Sequence, residues 1–95
     1  MIPYAKRKKV YEAEIDNLGI RETVLTSLEE LSFLEIDITQ NLRGVQNHDL
    51  LAMQIAMVTT FLERLRLIYG VNDAVNDWID ELVSNRAEKL EVDLE

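Results

Sequence analysis

IRETVLTSLEELSFLEIDITQNLRG, residues 20–44, is the stretch on which the fold turns. Val24, Leu28, Leu31, Ile38 and Leu42 recur at steps of four, three, seven and four residues. Side chains at these intervals return to one face of an α-helix. Leu25 and Leu34 flank the stripe, and Gly44 ends it with a residue that enters the left-handed region at little cost. The spacing predicts a long helix over 20–43, with its leucine stripe turned to the core.

The neighbouring segments read the same way. Pro3 suits a first helical turn, where its missing N–H would have no partner, and Val10, Ile15 and Leu18 lead to Gly19, predicting a helix over 3–18. VQNHD, residues 45–49, is polar, and Asn47 or Asp49 can cap a third helix over 48–69 that stops at Gly70. Val75, Trp78, Ile79, Leu82, Val83 and Leu90 form the core face of a fourth helix over 72–91, opened by Asn72 or Asp73. No alternating apolar run bounded by turn residues argues for a sheet. The expectation is one all-α domain over 1–95 with an antiparallel four-helix arrangement. Short connections place helices two and three as a hairpin, with the other two packed on it.

The 95 residues contain no cysteine, which excludes a disulfide framework and thiolate chemistry. No segment reaches the roughly 18 uninterrupted apolar residues of a membrane span, and the N-terminal stretch lacks the apolar core of a secretion signal. The expected setting is cytoplasmic. The net charge is −8, although Lys6, Arg7, Lys8 and Lys9 precede the first acid at Glu12. So acidic a body repels a phosphate backbone, which argues against nucleic acid as a partner. The KRKK run reads as a solvated helix start.

Helices two and three are apolar on more than one face: Leu25, Phe33, Leu34 and Ile36 on the second, Met53, Ile55, Met57, Val58 and Phe61 on the third. A domain of this size cannot cover them all. A homo-oligomer, dimer or tetramer, joined through these two helices is expected.

The third helix also carries an anomaly. Its middle, LLAMQIAMVTTFLERL over 50–65, is free of acids until Glu63, in a chain with 18 acidic residues. Together with NLGIRETVLTSLEELSFLEIDITQNLRG before it and LIYGVNDAVNDWIDELV after it, the segment resembles the small phage and bacterial type of MazG-like all-α nucleoside triphosphate pyrophosphohydrolases. In that family an EExxE helix and an ExxD helix converge carboxylates on magnesium, which holds a triphosphate for hydrolysis to a nucleoside monophosphate and pyrophosphate. The resemblance places the first motif on Glu29, Glu30 and Phe33, the second on Met53, Gln54 and Met57. Only Glu30 survives of the presumed ligands. Phenyl and thioether groups offer magnesium no hard oxygen, and an amide is a far poorer ligand than a carboxylate.

The resemblance therefore implies a catalytically silent helical homo-oligomer with no metal or other cofactor, whose former nucleotide pocket is apolar. Glu30, Phe33, Met53, Gln54, Met57 and Phe61 would line it, with Gln54 anchoring a small apolar ligand. Loss of several acids side by side fits redesign of the pocket as well as natural drift. The alternatives are a magnesium-dependent pyrophosphohydrolase with a site reduced to Glu30, and a protein-interaction module. Glu35 and Asp37 are read as pointing to other faces than Glu30. His48 reads as a loop or cap residue, and no histidine accompanies Ser27, Ser32 or Ser84. Arg64, Arg66, Arg86 and Lys89 are read as partners of surface acids.

Overall fold

A computed structural model describes residues 1–45 and 47–95. The helices are α1 Tyr4–Leu18, α2 Ile20–Leu42, α3 His48–Tyr69 and α4 Asn72–Leu90, with no strand among the described residues. Every boundary falls within one residue of the sequence expectation, the ordinary scatter of helix ends.

Local chemistry accounts for the ends. Pro3 stands just outside α1, where its carbonyl accepts the N–H groups of Lys6 and Arg7. Gly19 joins α1 to α2 at φ 84°, and Gly70 closes α3 at φ 63°, conformations that burden a residue with a Cβ. Asn47 caps α3, its side-chain oxygen accepting the Leu50 N–H. The start of α4 differs from the expected polar cap: Val71 occupies the cap position, and no side chain supplies a hydrogen bond there.

α2 and α3 form the main hairpin, α1 lies along α2, and α4 meets α3 least. The face that α2 turns inward is not the leucine stripe. Thr23 and Ser27 are buried, while Glu30, Leu34, Asp37 and Asn41 are half-buried. Leu28 and Leu31 stay 46% and 44% exposed, and Ile38 and Leu42 are also open. Burial costs the inward polar groups less than their chemistry suggests, because several bond to their own helix. The Thr23 hydroxyl donates to the Gly19 carbonyl, the Ser27 hydroxyl to that of Thr23, and the Asn41 amide to that of Asp37. Such local bonds satisfy a donor without a partner from another helix. Asp37 also corrects the reading of its face: seven residues are close to two full turns, which brings it back to the side of Glu30.

Among the described residues, the buried apolar core is Tyr11, Val58, Phe61 and Ala87. Val58 and Phe61 are thus core, not part of the expected self-association surface. Trp78, expected in the core, is 60% exposed, and Ile79, Leu82 and Val83 beside it are open. The reason is the course of α4, which meets α3 near their shared turn, where Val71, Val75 and Ile79 face Leu62, Leu65 and Tyr69 across a cleft. The chain exposes 7620 Å², whereas a compact monomer of this mass exposes about 5,600 Å². Its radius of gyration of 16.3 Å likewise exceeds the roughly 12 Å of a compact domain of this length.

Candidate functional site

The most constrained polar cluster is built round Arg64. On α3 it follows Met57 and Phe61 and precedes Ile68 at helical spacing, so it sits within an apolar stripe that packs on α2. Only 9% of the residue is exposed. Its Nη1 lies 3.5 Å from Glu14 Oε2 of α1, and its Nη2 lies 3.6 Å from Glu30 Oε2 of α2. Nη2 also donates to Ser27 Oγ at 3.2 Å. The guanidinium carbon stands 5.8 Å from the centre of the Tyr11 ring, within reach of a cation–π attraction. One cation therefore ties three helices together.

Both ion pairs are long. Glu30 Oε2 and Arg64 Nε are buried and have no hydrogen-bond partner among the described residues. Burial raises the Glu30 carboxyl above its ordinary pKa, Arg64 pulls it down, and the Glu14 carboxylate pushes it up. A cleft of about 220 Å³ opens beside the cluster, lined by Leu18, Thr23 and Thr26 as well as Glu14, Ser27, Glu30 and Arg64.

A second cluster staples α1 to α3. Arg7 holds both carboxylate oxygens of Glu63, through Nε at 3.0 Å and Nη2 at 2.9 Å, and the Tyr11 hydroxyl donates to the same carboxylate. Arg7 is thereby drawn out of the KRKK run read as solvated, while Lys6, Lys8 and Lys9 are exposed. The Arg7 hydrogen bonds hold the Glu63 carboxyl below the usual glutamate range, against the opposing effect of burial and with help from Tyr11. A carboxyl with a lowered folded-state pKa stabilises the fold above its unfolded value, and that contribution is lost as pH falls through the folded value. Glu63→Gln is expected to lower the thermal midpoint at neutral pH. The gap to the parent should close as pH drops below the ordinary glutamate range. Melting followed by circular dichroism across that range checks it, and parallel curves would contradict the assignment.

The pocket residues named from sequence are dispersed. Glu30 is half-buried beside Arg64, Phe61 is buried at 3% exposure, and Met57 is half-buried. Phe33 and Met53 are exposed on α2 and α3. Gln54 is half-buried, and its Oε1 is closed off from solvent without a hydrogen-bond partner among the described residues. This donor set does not fit magnesium. Glu30 already faces a guanidinium, and no group of three or more His, Cys, Asp or Glu side chains among the described residues converges as a metal site.

Sequence reasoning read Arg64 as a partner of surface acids; it does pair with Glu14 and Glu30, but from a buried position that this reading missed. The signal was present: an arginine three residues after Phe61 and seven after Met57 shares their face. Tyr11 and Ser27 carried no comparable signal, because their roles depend on α1 and α3 meeting at one end of α2. His48 opens α3 and is exposed. Comparison with protein families, with curated proteins and with solved structures finds no match to this chain.

Proposed function

We propose that this chain is a catalytically silent, self-associating helical module of MazG-like build, in which an internal cation occupies the surviving acid of the former metal site. The observation that carries this reading is Arg64, buried and set between Glu30 and Glu14. A guanidinium fixed beside the one remaining presumed ligand competes with any dication for it, and Met57 and Gln54 supply no replacement carboxylate. No described helix is long and apolar enough to cross a membrane. The large open apolar surface supports association with further copies.

Two measurements test the silence. Titration calorimetry with magnesium is expected to show no binding in the micromolar range. A panel of nucleoside triphosphates with magnesium or manganese is expected to release no pyrophosphate. Release that disappears in Glu30→Gln would replace this reading by the pyrophosphohydrolase one.

A further inference from the structure

We infer that the cleft between α3 and α4 is a binding site for a small organic carboxylate with an apolar body, its two oxygens held by Arg66. The cleft has a volume of about 450 Å³, the size of an ordinary small-molecule pocket. Leu62, Leu65, Val71, Val75 and Ile79 supply its wall, and Arg66 is the one charged residue lining it. It is not the pocket expected from the sequence: none of Glu30, Phe33, Met53, Gln54, Met57 and Phe61 lines it.

The charge of the guest follows from the state of that arginine. In a chain with 18 acidic and 10 basic residues, a guanidinium has acids in excess to choose from. Arg66 nevertheless joins no ion pair among the described residues. Its Nη1 donates to the Asn76 side-chain oxygen at 2.8 Å, and no acceptor among the described residues meets its Nε or Nη2. Glu63, which shares an adjoining polar cleft with it, is held through both oxygens by Arg7. Lys8 and Asp73 line a further cleft beside Arg66, and their charges offset each other. The unused Nε and Nη2 edge is the fork that a carboxylate takes by two parallel hydrogen bonds.

The body of the guest follows from the wall. Val71, Val75 and Ile79 recur at four-residue steps on α4 and its cap, so one face of that helix closes the cleft against α3. A polar body would leave donors and acceptors unpaired against this wall, at a cost that an apolar one avoids. Ile79 and the rim residue Tyr69 are 43% and 65% exposed, which leaves the mouth open to a guest. An apolar chain ended by one carboxylate matches both the wall and the cation.

Octanoate is the probe, titrated into the full chain and followed by backbone amide shifts in nuclear magnetic resonance. Saturable shifts centred on Val75 and Ile79 are expected, with a dissociation constant below about 1 mM, ordinary for so few heavy atoms. Arg66→Gln is expected to weaken binding about tenfold, the effect of losing one charge-assisted contact. Octanol, with the same body and no charge, should show a similar loss on the parent, and octylammonium should not saturate. Ile79→Glu, which sets an acid of the chain's own before Arg66, is expected to abolish binding; the amide spectrum itself reports that each variant is folded. Octanol or octylammonium binding as tightly as octanoate would overturn the site. So would an Arg66→Gln protein of unchanged affinity, or a parent with no saturable shifts, as when a second copy covers the cleft. Pyrophosphate release by the chain would overturn its proposed silence and leave this site standing.

Discussion

Arg64→Ala is expected to destabilise the chain by about 3 kcal/mol at neutral pH, the lower end of the cost of removing one partner from a buried ion pair. In a domain of this size that corresponds to a fall in thermal midpoint on the order of 15 °C. Among the described residues, the guanidinium is the one cationic group paired with Glu30, whose side chain is 18% exposed, and it is shared with the more open Glu14. Alanine would leave Glu30 with burial and Glu14, both of which raise its pKa. A raised folded-state value contributes stability that is complete below the ordinary glutamate value and lost as pH rises through the raised one. The deficit of Arg64→Ala should therefore shrink on acidification. Adding Glu30→Gln should recover a substantial part of it at neutral pH, as a double-mutant cycle would quantify. An Arg64→Ala protein as stable as its parent at neutral pH would show that the cluster contributes nothing to the fold.

Two phenylalanines that the sequence placed in one pocket are expected to behave oppositely. Phe61→Ala should cost about 3–5 kcal/mol, the transfer energy of a buried ring plus that of the cavity left behind. The buried apolar core among the described residues is Tyr11, Val58, Phe61 and Ala87, so the loss falls on a structure with little in reserve. Phe33→Ala, at a site 53% exposed, should cost less than about 1 kcal/mol. Urea unfolding at matched protomer concentration compares them, because the proposed association would couple midpoint to concentration. Equal costs would mean that the ring of Phe33 is as sequestered as that of Phe61.

Helix number and boundaries were legible because they depend on neighbours in sequence: Gly19 and Gly70 adopt positive φ, and Asn47 bonds Leu50 three residues on. The inward face of α2 was not. Periodicity identifies a stripe but not what covers it: Leu28, Leu31, Ile38 and Leu42 stay open, while the neighbouring Thr23 and Ser27 are the residues buried. The Arg64 cluster was legible only in part. The position of Arg64 on the face of Phe61 is a matter of counting, whereas Glu14, Ser27 and Glu30 reach it only once three helices have assembled. Trp78 escaped for a related reason: its helix has an apolar face, but α3 accompanies only the first turns of it.

The back-bonded side chains of α2 have a bearing on how the hairpin keeps its alignment. Thr23, Ser27 and Asn41 spend their donors lengthwise, on carbonyls of the same helix. Among the described residues, the side-chain hydrogen bonds and ion pairs that link α2 to α3 are those of Arg64, to Ser27 and Glu30. Sliding one helix past the other by a single pitch would break that clasp while sparing the lengthwise bonds, so the arginine acts as a detent that, with the packing of Val58 and Phe61, resists a change of stagger.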